Sequence, residues 1–232
     1  MTARPLVAVA HGSRDPAAAA ALPALVDEVR RQRPGLVVTG CYLDHARPSL
    51  PEAVRETRAR TGRSPVVVPL LLTAAFHSRV DVPAQLAATD PDAIQADVLG
   101  PDPLLLDALE RRLEEAGVPR RDPATAVVLA AAGSADVEAQ ETVRRLAEHW
   151  AGRGWWAVEP AYASAAAPTV VDAVSGLRAQ GAPRVAVASY LLAPGLFADR
   201  LRAGGADAVS PPLGDAPEVA TVILARYDLA AG

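Results

Sequence analysis

Two histidines stand just beyond two apolar runs, in His11-Gly12-Ser13-Arg14-Asp15 and in Phe76-His77-Ser78-Arg79-Val80-Asp81. The runs themselves, Leu6–Ala10 and Val66–Leu72, read as buried strands. Neutral imidazole nitrogens are good ligands for cobalt, nickel, zinc and ferrous iron. Two of them leave several coordination positions open, as suits a site that hands its metal on. His11 and His77 are therefore the expected metal ligands. The Ser-Arg pairs that follow, Ser13-Arg14 and Ser78-Arg79, supply hydrogen-bond donors and cationic forks. Guanidinium groups bind carboxylates bidentately, so Arg14, Arg79 and Arg47 are expected to clamp a carboxylate-bearing metal acceptor, with Arg200 and Arg202 as further candidates.

Asp44 and His45 end the second apolar run, Leu36–Leu43, and can reach the same rim. A carboxylate at position 44 can complete the coordination, accept a proton or orient an imidazole. His45 is expected in a solvent-exposed turn, and His149 on the surface of a helix. Asp15 and Asp81 are expected to cap helices. Cys41, within a strand, reads as a small buried hydrophobe.

The elements that must position these residues alternate along the chain. The first strand, about 5–10, is followed by Asp15-Pro16 and a helix with Leu22, Leu25, Val26 and Val29 on one face. A second strand leads to a helix facing inward with Leu50, Ala53, Val54 and Thr57. The third strand, 66–72, precedes the His77 loop and a helix that starts near Pro83. A fourth, Ile94–Leu99, precedes a helix with Leu106, Leu109 and Leu113. This β-α-β alternation calls for parallel strands buried on both sides.

The pattern then begins again. Gly12 aligns with Gly133, 121 residues on; Pro48 with Pro168 and Leu71-Leu72 with Leu191-Leu192, each 120 on. A spacing held that closely indicates duplication. The expected fold is α/β, with two parallel-sheet lobes, 1–120 and 121–232, facing a central cleft. In the second lobe His11 becomes Ala132, Arg14 becomes Ala135, and His77 falls near Phe197. The first lobe is expected to hold the chemistry.

Composition narrows the function classes. The chain has 232 residues, 50% of them hydrophobic, and a net charge of −4; its mean hydropathy is +0.14. This fits a globular chain with a substantial core. All 23 fixed cations are arginine and lysine is absent, which excludes a Schiff-base lysine and a phosphate-loop lysine. The mildly acidic surface is not that of a nucleic-acid binder. No apolar stretch approaches the ~18 residues of a membrane span, and Met1–Pro5 lacks a signal-peptide pattern. A single cysteine excludes an intrachain disulfide and fits a reducing compartment. A cytoplasmic enzyme is expected, and two lobes in one chain are compatible with a monomer.

The His-Gly-Ser-Arg segment after the first strand, the Pro69-Leu70-Leu71-Leu72…His77…Asp81-Val82-Pro83 segment after the third, and the duplication together resemble the sirohydrochlorin chelatases of the CbiX/SirB type. The resemblance spans nearly the whole chain. It implies a class II chelatase fold and insertion of a divalent metal into sirohydrochlorin, on the way to sirohaem or cobalamin. It implies His11 and His77 as the metal-binding pair, with Asp44 in place of the family's usual glutamate. The metal is substrate, with cobalt, ferrous iron and nickel all open, and no other cofactor is implied. Two rivals remain. A non-catalytic carrier would hold the same metal. A histidine phosphatase would need an arginine directly before the histidine, where this chain has Ala10.

Overall fold

Leu6, Val7, Ala8 and Val9 are buried on both faces of their strand, which places β1 (Leu6–Ala10) inside a parallel sheet. β2 (Val38–Tyr42) and β3 (Val66–Pro69) flank it, and β4 (Ile94–Gln95) adds a short edge, in the order β2-β1-β3-β4. Val9 sits level with Cys41 on one side and Pro69 on the other, so three strands end together. The chain runs from β1 out to β2, then back across β1 to β3. The order therefore reverses between β1 and β3, the point where open α/β sheets form ligand crevices. The computed structural model describes residues 3–74 and 77–232, with His77 and Ser78 described by their backbone alone.

The helices follow the expected apolar stripes. α1 (Ala21–Gln32) buries Leu22, Leu25, Val26 and Val29, and α2 (Leu50–Thr61) buries Leu50, Ala53, Val54 and Thr57. α1 lies tight against β2 because residue 40 is glycine: a Cβ there would stand 3.1 Å from Leu22 and Val26. α2 opens with a reciprocal cap between Ser49 and Glu52. α3 (Val82–Thr89) closes the same face over Val7, Val9, Cys41 and Val67. Cys41 is fully buried, as expected, and burial pushes its thiol pKa up.

Several local expectations shift. Asp15 caps a short 3₁₀ turn, Pro16–Ala18, rather than α1 itself. Asp81 precedes α3 without any side-chain cap bond, since its own backbone is already helical. The third strand stops at Pro69 because the Leu71 N–H turns back to the Pro69 carbonyl at 2.9 Å. The fourth keeps only two ladder residues.

The second sheet has the order β6-β5-β7-β8, built from β5 (Thr125–Ala131), β6 (Ala157–Tyr162), β7 (Arg184–Tyr190) and β8 (Ala208–Val209). The helices that belong with it are α4 (Pro103–Glu115), α5 (Val137–Ala151), α6 (Val170–Ala179) and α7 (Leu196–Arg202). Duplication is visible down to the backbone. The Arg47-Pro48 and Ala167-Pro168 peptides are both cis, and His45 and Ala165 share left-handed φ values of 62° and 57°.

The packing units do not divide where the sequence repeat does. One consists of residues 1–100 with 215–232, the other of 101–214. Thus α8 (Pro217–Ala231) packs on the first sheet and α4 on the second. In the first unit, Arg226 donates to the Val98 and Leu99 carbonyls, the Tyr227 hydroxyl donates to the Arg4 carbonyl, and Arg33 pairs with Asp228. A repeat marks where a copy starts; it does not say which sheet the last helix of each copy covers. The Gly117–Pro123 stretch, at the junction of the two sequence repeats, is anchored inside the second unit. Arg120 and Arg121 both donate to Glu110, which also accepts from the Trp150 indole at 3.1 Å and is wholly inaccessible to solvent. Among the described residues no helix is long and apolar enough to cross a membrane.

Candidate functional site

The site is assembled at the carboxyl edge of the first sheet. Beyond Ala10 the chain continues into His11, which is exposed, and Gly12 turns it at φ +94°. A Cβ at position 12 would lie 1.8 Å from the Asp44 carbonyl oxygen, so only glycine lets the two loops come this close. Gly133 meets the Ser164 carbonyl in the same way. The turn is thus inherited by both halves, and the imidazole at its start belongs to one.

Backbone bonds extend the β1–β2 ladder into this edge. Leu43 N–H donates to the Ala10 carbonyl at 2.9 Å and Asp44 N–H to the His11 carbonyl at 3.0 Å. Asp44 and His45 are therefore held beside His11 by main-chain geometry. The Asp44 carboxylate is largely exposed; its Oδ1 accepts from the His45 N–H at 2.7 Å and lies 3.4 Å from His45 Nδ1. His45 is an exposed turn residue, as expected, yet its ring stands edge-on to that of His11, with centroids 6.3 Å apart. Sequence reasoning missed this contact. The signal was available: the matching positions in the second half, Ala132 and Ala165, both lack an imidazole.

His77 begins a single π-helical turn, His77–Asp81, which runs into α3 after β3. Such turns frequently occur at functional sites. The His77 and Ser78 side chains, and with them those two calls, lie outside the described residues. Among the described residues no three His, Cys, Asp or Glu side chains are grouped to hold an ion.

The remaining candidates have distinct surroundings. Ser13 Oγ accepts from the Asp15 N–H, a bond that Ser134 and Asp136 repeat, so its oxygen serves the turn. Arg14 and Arg79 are exposed. Arg47 is also exposed and is paired with Glu52, the residue that caps α2. In the second unit Arg200 stacks over Phe197 and donates to the Ala163 carbonyl, and Arg202 pairs with Asp199.

This arrangement can be set beside known proteins. The family model CbiX matches residues 5–116 and again residues 126–230. A sirohydrochlorin cobaltochelatase of Priestia megaterium is 25% identical over 202 residues, which cover 83% of this chain and 65% of that protein. A sirohydrochlorin ferrochelatase of the same organism is 24% identical over 200 residues, covering 84% and 75%. The chain thus spans just under two thirds of the length of the first relative. The structure of SirB from Bacillus subtilis with Fe3+ shares the fold, with a TM-score of 0.81 at 24% identity and coverage of 99% of this chain and 96% of that one. With both of its halves matched in succession, the chain belongs to the CbiX family.

Proposed function

We propose that this protein is a chelatase that inserts a divalent metal, cobalt or ferrous iron, into sirohydrochlorin. The observation that carries the reading is the placement of His11, at the strand-order reversal of the half that bears histidines after its strands, in a chain whose relatives are named for this reaction. His11 and His77 hold the incoming ion with few ligands and many open positions, so the macrocycle nitrogens can replace them one at a time. Insertion of M²⁺ expels both inner pyrrole protons. An imidazole released by the departing metal accepts one, and the exposed Asp44 carboxylate accepts the other, directly or through the His45 imidazole beside it. Arg14 and Arg79, and Arg47 on leaving Glu52, orient the carboxylates of the substrate, with Ser13 and Ser78 as neighbouring donors. No cofactor beyond the metal substrate enters the reaction, and neither a nucleic acid nor a membrane is needed as partner. Reaction within a single chain, in a reducing cytoplasm, completes the reading.

The test is anaerobic mixing of the protein with excess sirohydrochlorin and Co²⁺, Fe²⁺ or Ni²⁺ in turn, followed through the tetrapyrrole absorption bands. A chelatase gives many equivalents of metallated product per protein. A carrier stops at one equivalent. No acceleration over the protein-free mixture with any of the three metals overturns the proposal.

A further inference from the structure

Three of the chain's four histidines, His11, His45 and His77, follow β1, β2 and β3 at one edge of one sheet. The metal-binding assignment above uses two of them. His45 is unaccounted for, and its placement is specific. Its ring stands 6.3 Å from that of His11, centroid to centroid, at an interplanar angle of 75°. Two imidazoles bound to one ion at ~2.1 Å per nitrogen hold their centroids about 5–6 Å apart. A small side-chain rotation therefore brings both rings onto a shared ion.

The turn does not need the imidazole. Ala165 occupies the same left-handed conformation in the second half, φ 57° against 62°, with alanine as its side chain. Histidines stand at positions 11 and 45 together, and alanines at 132 and 165 together. Asp44 stands close enough to become the orienting partner that a ligating imidazole takes on its far side. Its Oδ1 is fixed by the His45 N–H and lies 3.4 Å from Nδ1, which leaves Nε2 to face an ion. A carboxylate behind an imidazole fixes the ring and raises its basicity.

We propose that His45 is a further ligand for the divalent metal substrate, loading it together with His11, and that Asp44 acts behind His45 as its orienting carboxylate. The proposal deepens the chelatase reading and rests on it. An additional nitrogen donor favours cobalt, nickel and ferrous ions over magnesium, which prefers oxygen ligands.

The experiment compares the full-length protein with His45→Ala, His45→Asn and His11→Ala, using Co²⁺ alone as probe, by calorimetry and by the visible cobalt ligand-field bands. Metal and sirohydrochlorin KM values are then measured separately. Since Ala165 already holds this turn, His45→Ala is expected to keep its fold, and asparagine, tolerant of left-handed φ, provides a second variant. Expected are Co²⁺ binding weakened by about tenfold or more, altered ligand-field bands, a metal KM raised to match, and an unchanged sirohydrochlorin KM. His45 variants that bind Co²⁺ within about twofold of the parent, with unchanged bands, overturn the proposal; continued turnover on sirohydrochlorin then leaves the chelatase reading standing. A parent protein that turns over no sirohydrochlorin overturns both.

Discussion

Replacing His11 with alanine is expected to lower metal insertion into sirohydrochlorin by more than about a hundredfold while leaving the unfolding transition in place. Outer-shell partners of metal ligands already cost 10–100-fold when removed, so loss of a ligand must cost more. The fold should be indifferent, because His11 is exposed and makes no part of the buried sheet. The second half shows the same substitution in place: Ala132 follows β5, and its carbonyl still accepts from the Ser164 N–H as the His11 carbonyl does from Asp44. Anaerobic initial rates and a thermal melt decide the matter. A variant that retains a tenth or more of the parent rate would remove His11 from the chemistry.

The second large effect concerns stability. Glu110→Ala is expected to cost about 1–3 kcal/mol, because it removes the buried acceptor of the Trp150 indole and of Arg120 and Arg121, whose half-exposed guanidinium groups keep only Asp107 as counter-charge. Glu110 is inaccessible to solvent and binds Arg120, Arg121 and the Trp150 indole, with Arg153 at 3.5 Å. Arg121 holds a left-handed backbone, φ 55°, to reach it. Burial by itself would raise the Glu110 pKa, but the hydrogen bonds from Arg120, Arg121 and Trp150 outweigh burial and lower it. A carboxylate depressed in the folded state contributes stability above its unfolded pKa, and that contribution is lost as pH falls through the folded value. Urea unfolding at neutral pH should show the alanine deficit. Titration into the acid range should show the parent losing part of its advantage over Glu110→Gln. A cost below about 1 kcal/mol, or parallel pH curves for parent and Gln variant, would contradict this role.

The sequence was most readable where burial is periodic. The stripes Leu22-Leu25-Val26-Val29 and Leu50-Ala53-Val54-Thr57 bury as spaced, because each helix has one sheet to cover. Duplication was legible because Gly12 and Gly133 answer the same steric demand, a carbonyl oxygen 1.8 Å from where a Cβ would sit. Strand ends were less so, since an apolar run such as Val66–Leu72 does not reveal that the chain turns after Pro69. The exchange of α4 and α8 between packing units had no local signature: an apolar helix face is satisfied by either sheet. At the site, residue type and strand-end position pointed to His11, Asp44 and His77. The His11–His45 contact escaped because it depends on the β1–β2 ladder bonds continuing through Leu43 and Asp44, a matter of register rather than composition.

The most direct measurement is anomalous diffraction at the cobalt edge from crystals of the protein loaded with Co²⁺ alone. The account predicts one principal cobalt site at the carboxyl edge of the first sheet, with imidazole nitrogens of both His11 and His77 at about 2.1 Å. Cobalt bound by only one of these two histidines, or held principally elsewhere in the chain, would contradict it.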